Sequence, residues 1–284
     1  MIPTAFEYES PTTVEDALRL LAEGGEDVKV LAGGQSLIPV LKLRLAGPEL
    51  IVDLGRIEGL RGVREDGDAL VIGATTPHHE VATSALVREH AALLVEAAGT
   101  VADPQVRHRG TFGGALVHAD PAGDLPAPAL ALGASFEIAG PAGVRTVAAE
   151  DFFVDLFTTA VGEDEILTAV RVPKRTGWTA AYEKFVRVAQ QWSIVAVAAT
   201  VRVEDGVITD ARLGLTNMGS TPIRPAAVEQ NLVGLAPVGG AVEGAVADVA
   251  AGTTPPDDLN GTADYRRHLA RVLARRAVVR AAGA

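Results

Sequence analysis

Cysteine is absent from the 284 residues. That excludes disulfides and any iron–sulfur cluster ligated by this chain alone, because such clusters are held by cysteine thiolates. A one-electron relay of that kind must sit in another chain. No run of about 18 uncharged apolar residues occurs and no Lys/Arg-led apolar stretch opens the chain, so neither a membrane span nor a secretory signal is expected, and a cytoplasmic location is. Positive charge is in deficit: 25 Lys and Arg stand against 36 Asp and Glu, a net charge of −11. This opposes association with nucleic-acid phosphates, and no nucleic-acid partner is expected. The GxGxxG fingerprint and the GxxxxGKS/T loop are both missing, so a nucleotide would have to be held by another framework.

What is present is a chain of 48% apolar residues, long enough to bury a large core. Residues 12–24 read as a helix: Thr12 precedes Glu15 by three places in a capping-box pattern, and Val14, Ala17, Leu18 and Leu21 recur at helical spacing. A short strand at 28–32 runs into Gly33-Gly34-Gln35-Ser36, and LIPVLKLRL then resumes a helical course. Strands are expected at 49–55 and 69–74, with Thr76-Pro77 capping helices at 77–83 and 86–98. Residues 101–128 are rich in Gly, Pro, Asp and His and read as a long ordered loop, the kind that carries function. A strand follows at 134–139, and EILTAVRVP ends on Pro173 ahead of a polar stretch, which places a domain boundary near residue 176. The first domain would span 1–176. The second, 177–284, reads as three strands, with Asp205-Gly206 in a hairpin turn, closed by helices at about 224–233, 241–250 and 263–281.

Two glycine pairs, Gly33-Gly34 and Gly113-Gly114, suit a dinucleotide pyrophosphate, which is best held by backbone N–H groups approached without side-chain obstruction. Ser36 could cap the following helix or bond a phosphate oxygen, and Thr111 could donate a hydroxyl hydrogen bond. Either pair alone is equally a simple turn.

The segments AGGQSLIPVLKLRLAGPELIVDL (32–54) and RGTFGGALVHADPAGDLPAPALALGA (109–134) resemble the two FAD-binding signatures of the flavoprotein subunits of molybdenum hydroxylases. YEKFVRVAQQWSIVAVAA (182–199) resembles the start of the C-terminal domain in the same family, which includes medium subunits of aerobic carbon monoxide dehydrogenases and of xanthine- or N-heterocycle-oxidising enzymes. The resemblance implies an α+β fold: a vanillyl-alcohol-oxidase-type FAD-binding domain of two subdomains, about 1–56 and 57–176, then a small C-terminal domain with an antiparallel sheet and helices. It implies FAD with its pyrophosphate between Ala32, Gly33, Gly34, Gln35 and Ser36 on one side and Thr111, Phe112, Gly113, Gly114 and Ala115 on the other. Asp124 would bind ribityl or ribose hydroxyls, unless it only caps the helix that starts at Leu125-Pro126. Lys184 would set its ammonium near the flavin, where a cation favours negative charge on the reduced ring, unless it simply faces solvent. Trp192 would pack on the isoalloxazine or serve as a core or interface aromatic. Ala115 stands where Asn or Ser is frequent in the family, which removes a side-chain hydrogen bond and leaves the backbone donors.

The implied partners are a large subunit carrying the molybdenum cofactor, a small subunit carrying 2Fe–2S clusters, and an external acceptor such as a quinone. Through such a complex the chain could lie at the inner face of a membrane. A stand-alone flavin oxidase and a flavin-less assembly protein of the same fold are the alternatives. A metal site is not expected: His78 and His79 diverge on a helix, and His118 with Asp120 offers two ligands only. The arginines of the last helix, from Arg266 to Arg280, suggest either an acidic or membrane partner or a helix docked on its own domain with snorkelling side chains.

Overall fold

A computed structural model describes residues 2–283. Its first unit is a three-stranded parallel sheet in the order β1-β3-β2, formed by β1 (Glu7–Glu9), β2 (Val28–Leu31) and β3 (Leu50–Asp53). Helix α1 (Val14–Gly24) crosses between β1 and β2 and buries Ala17 and Leu21 against Val28 and Val52. The helix starts one residue later than its pattern suggests. Thr13, not Thr12, is the N-cap, its hydroxyl accepting from the Asp16 N–H at 3.1 Å, because Asp16 rather than Glu15 sits three places on. The expected helix after Ser36 is short, α2 (Leu37–Lys42).

The second unit is a five-stranded antiparallel sheet built from β4 (Val63–Asp66), β5 (Ala69–Gly73), β6 (Ser135–Gly140), β7 (Gly143–Ala148) and β10 (Ile166–Pro173), in the order β4-β5-β10-β6-β7. Before β6 run α3 (His78–Thr83), α4 (Ala85–His90), α5 (Ala92–Thr100), α6 (Pro104–Arg107), α7 (Phe112–His118) and α8 (Pro126–Leu132); after β7 come α9 (Ala149–Phe152) and a small hairpin of β8 (Phe153–Asp155) and β9 (Thr158–Thr159). Residues 101–128 are therefore not one long loop. Asp103 and Thr111 each accept a bond from a backbone N–H three residues on and so start α6 and α7. Thr76 does not cap α3. Its hydroxyl exchanges hydrogen bonds with the backbone of Gly62, 2.9 Å from the N–H and 3.1 Å to the carbonyl, which also accepts the Gly73 N–H at 3.0 Å.

The last unit pairs β11 (Thr179–Phe185), β12 (Val195–Glu204) and β13 (Val207–Thr216) into an antiparallel sheet, followed by α10 (Ala226–Leu232), α11 (Gly239–Ala245) and α12 (Ala263–Ala281). The β12–β13 turn places Asp205 and Gly206 at φ +49° and +77°, the two left-handed residues that a tight hairpin turn demands. β12 is buried without interruption from Val195 to Val201 because both of its faces are covered. Ala196 and Ala198 join the core of the second unit, while Val195, Val197, Ala199 and Val201 face the core closed by α12. Tyr182 on β11 also enters the second unit's core. The C-terminal sheet is thus wedged against the unit that precedes it, and Gly214 lets β13 approach α8 so closely that a Cβ there would stand 2.4 Å from the Ala127 carbonyl. α12 docks on this sheet rather than projecting outward: Arg266 is fully buried, and Arg280 reaches Glu96 and Glu183 at 2.8 Å.

Candidate functional site

A cavity of about 620 Å³ opens between the three units. It is lined by Ala32, Gly33, Gly34, Gln35, Ser36, Thr111, Gly113, Gly114, Ala115, Asp124, Lys184 and Trp192, so one surface gathers both glycine pairs and the three distant side chains. Phe112 is the exception. It is fully buried in the core of the second unit and does not line the cavity, because the first turn of α7 rotates it inward.

The two glycine loops differ in what they can offer. At the second loop the N–H groups are already occupied: Phe112 donates to the Thr76 carbonyl (2.8 Å), Gly113 to the Ala74 carbonyl (2.9 Å), Gly114 to the Thr111 hydroxyl (3.2 Å) and Ala115 to the Thr111 carbonyl (3.1 Å). At the first loop the N–H groups of Gly33, Gly34, Gln35 and Ser36 have no acceptor among the described residues. Ser36 occupies the position before α2 without making a side-chain cap. The first loop is therefore a row of open backbone donors suited to an anion. The second is a wall held rigid by its own bonds, and Thr111 acts there as an acceptor and helix cap.

The glycines explain how the loops meet. A Cβ on Gly33 would stand 2.3 Å from the Arg109 carbonyl and 2.6 Å from Cα of Gly110. One on Gly113 would collide with the Ala74 backbone at 2.7 Å. Gly34 has φ +71°, which turns the chain and exposes the donor row.

Asp124 neither caps α8 nor stands open. Leu125 holds the N-cap position, and the carboxylate accepts from Tyr182 Oη (2.9 Å), Ser193 Oγ (2.8 Å) and Lys184 Nζ (2.7 Å). Lys184 is correspondingly no solvent-facing lysine: its side chain is 8% exposed and also donates to the Thr100 carbonyl at 3.3 Å. Burial pushes the Asp124 carboxyl above its ordinary value, and the ammonium and the two hydroxyls pull it back. Tyr182 is raised well above its usual value, first by burial and then by the adjacent carboxylate, so it remains a donor. Asp124 belongs to the second unit and its three partners to the segment 182–193, so the cluster ties the two together beside the cavity. Sequence spacing did not point to Tyr182 or Ser193, which lie 58 and 69 residues from Asp124.

Residues 4–175 match the family model described as the FAD binding domain in molybdopterin dehydrogenase, and residues 180–281 match the CO dehydrogenase flavoprotein C-terminal domain. The chain is an FAD-binding subunit of the molybdenum hydroxylase family.

Relatives of this flavoprotein subunit include the carbon monoxide dehydrogenase medium chains of Hydrogenophaga pseudoflava, 41% identical over 98% of this chain and 97% of that one, and of Afipia carboxidovorans, 42% identical over 99% and 98%. The glyceraldehyde dehydrogenase medium chain of Sulfolobus acidocaldarius is 35% identical over 98% of both. Among solved structures, the Hydrogenophaga pseudoflava carbon monoxide dehydrogenase matches with a TM-score of 0.95 at 42% identity, covering 100% of this chain and 99% of that one. Quinoline 2-oxidoreductase from Pseudomonas putida 86 matches at 0.94 and 31% over the same shares. The cofactor of the flavoprotein subunit is FAD, and the cavity fits it: a row of open backbone donors suited to a pyrophosphate, glycines that leave the backbone unobstructed, and a lining that is mostly apolar by area. Among the described residues no helix is long and apolar enough to cross a membrane.

His78 also lines the cavity of the flavoprotein subunit, and its ring is packed against Gly110 with Nδ1 lacking a partner. Burial, then the charge of Arg107, lowers its pKa from 6.5 to about 4. Because the folded value lies below the unfolded one, an unfolded chain binds a proton that the folded one refuses as pH falls from 6.5 towards 4, and stability is lost across that window. The loss should reach roughly 3 kcal/mol. Urea unfolding of the wild type and of His78→Gln at several pH values checks this: the variant should show a shallower decline, and parallel declines would refute it.

Proposed function

We propose that this chain is the FAD-carrying electron-transfer subunit of an aerobic carbon monoxide dehydrogenase. Carbon monoxide is oxidised on a molybdenum cofactor in a large partner subunit, electrons reach this chain through 2Fe–2S clusters in a small partner subunit, and they leave to an external acceptor such as a quinone. The observation that carries the reading is full-length identity of 41–42% to carbon monoxide dehydrogenase medium chains, above the 35% shared with the glyceraldehyde enzyme. The absence of cysteine supports a relay located in another chain.

Bound FAD supplies the redox chemistry, exchanging electrons singly or in pairs. The chain's own residues bind and orient it. The N–H row from Gly33 to Ser36 holds the pyrophosphate, and Gly33, Gly113 and Gly114 let the two loops and the wall behind them close. Asp124 fixes the Lys184 ammonium beside the cavity, where its charge favours the reduced ring, and serves any cofactor hydroxyl only with an oxygen lone pair left over from its three donors. Ala115 contributes a small apolar wall and Trp192 a partly exposed aromatic cover. Division of the chain near residue 176 into an FAD-binding and a C-terminal domain belongs to this reading.

Purification of the tagged chain from its native host tests the proposal. It should be yellow, bring down a molybdenum-containing and an iron–sulfur subunit, and lose flavin colour under anaerobic carbon monoxide only within that complex. Reduction of the isolated chain by an organic substrate would point instead to a stand-alone oxidase. A colourless chain that cannot be reconstituted with FAD would point to an assembly protein.

A further inference from the structure

Between α5 and α6 the chain bends through Val101, Ala102 and Asp103, and the first two of these line the FAD cavity. Ala102 has φ +39°, a left-handed state that alanine enters only at a cost and that persists where surrounding contacts over-determine it. One side chain supplies those contacts. Arg107 Nη1 donates to the Val101 carbonyl at 2.8 Å and to the Ala102 carbonyl at 3.3 Å. The guanidinium makes no side-chain bond to a carboxylate among the described residues, so its hydrogen bonds go to these two carbonyls alone. Ala102 lies beyond Val101, the C-cap of α5, and capping of that helix therefore does not account for both bonds.

The direction of the bend follows from the planar trans peptide, whose carbonyl and N–H point opposite ways. The Val101 carbonyl faces Arg107, which does not line the cavity, whereas Val101 and Ala102 do. The Ala102 N–H belongs to the same peptide unit, so it is turned away from Arg107 and towards the cavity. It has no acceptor among the described residues. A charged donor on the carbonyl polarises the amide and strengthens that N–H as a donor. One residue earlier the Thr100 carbonyl accepts from Lys184 Nζ at 3.3 Å, which sets the bend next to the buried ammonium. The Ala102 N–H is thus a donor additional to the row from Gly33 to Ser36.

We propose that Arg107 is a positioning residue for the cofactor: it locks the left-handed bend at Ala102 so that the Ala102 N–H donates to a carbonyl oxygen of the flavin ring. The proposal rests on the reading of this cavity as the FAD site with the ring beside Lys184. The ring's carbonyl oxygens are acceptors that need donors once removed from water, and the cavity wall is mostly apolar. Arg107 does not reach the cofactor itself. It acts through the backbone, where a rigid alanine held in place presents the donor with less freedom than glycine would keep.

The test uses the full-length chain purified with its native partners and loaded with FAD. Two quantities are read: the carbonyl stretching bands of the oxidised, bound flavin by difference infrared spectroscopy, and FAD affinity by retitration of the stripped complex. In Arg107→Met a ring carbonyl band should move to higher frequency, as a carbonyl does when it loses a hydrogen bond, and affinity should fall roughly ten-fold, the scale of one such bond. Adding Ala102→Gly separates positioning from charge, because glycine takes positive φ without the clamp. The double variant should bring the band back towards its wild-type position and recover roughly three-fold of the affinity. An unmoved band in Arg107→Met overturns the proposal. So does a double variant as displaced as the single one, since Arg107 would then act by its charge. Should Arg107→Met fail to assemble, Ala102→Val decides: a β-branched residue opposes the bend with Arg107 still present, and the band should rise in the same way. An unmoved band there also overturns the proposal. Wild-type complex that retains no FAD would instead undo the reading of the cavity, which keeps the two failures distinguishable.

Discussion

Gly33→Ala should abolish FAD retention while the equally simple substitution Gly99→Ala leaves it intact. The reason is where each added methyl would go. At Gly33 it would stand 2.3 Å from the Arg109 carbonyl, 2.6 Å from Gly110 Cα and 2.9 Å from the Thr111 nitrogen, all of them backbone atoms that cannot rotate away. The first loop must therefore move off the second, and the donor row moves with it. Hydrogen bonds to a charged group are worth about 1.5–3 kcal/mol each, so misaligning two of them costs roughly 3 kcal/mol or more, a hundred-fold or greater loss of affinity. At Gly99, near the end of α5, a Cβ meets nothing within 4 Å, and alanine only improves helix propensity. Gly34→Ala should fall between the two, because its clash at 2.6 Å is with the terminal methyl of Ile38, which can turn, although its φ of +71° still disfavours alanine. Flavin content after purification and FAD titration of the stripped protein decide the matter. Binding by Gly33→Ala at wild-type strength would remove the first loop from the cofactor site.

That ordering depends on a distinction the sequence did not reveal. Gly33-Gly34 and Gly113-Gly114 look alike as motifs, and both line one cavity. Which pair keeps its N–H groups open is decided by Ala74 and Thr76, whose carbonyls occupy Gly113 and Phe112 across about 40 residues of chain. The long strands of the last unit were visible because their apolar residues are buried on one or both faces, as in β12 and β13. β4 and β7 were not anticipated: they are the two edges of the five-stranded sheet and are almost entirely exposed, so nothing in their composition marks them as strands. Short β8 and β9 escaped for the same reason. Asp124 and Lys184 were both singled out, yet their pairing was not, since residues on different units come together only through the tertiary fold.

Loss of that pairing is the second large effect. Asp124→Ala should destabilise the protein by about 3–5 kcal/mol, because it leaves the Lys184 ammonium buried without its carboxylate. Tyr182 Oη and Ser193 Oγ lose their acceptor as well, at 2.9 and 2.8 Å. Replacing both charges tells structure from function. Asp124→Asn with Lys184→Met removes the uncompensated charge and keeps nearly the same volume, so stability should recover most of what the single variant loses. The flavin should not recover with it: without the ammonium beside the ring, the reduced form loses its favourable charge and the reduction potential of bound FAD should fall in Lys184→Met and in the double variant alike. Thermal unfolding follows the first quantity and spectroelectrochemical titration of the bound flavin the second. A double variant with restored stability and an unshifted potential would confine the pair to holding the two units together, with no electrostatic hand on the cofactor.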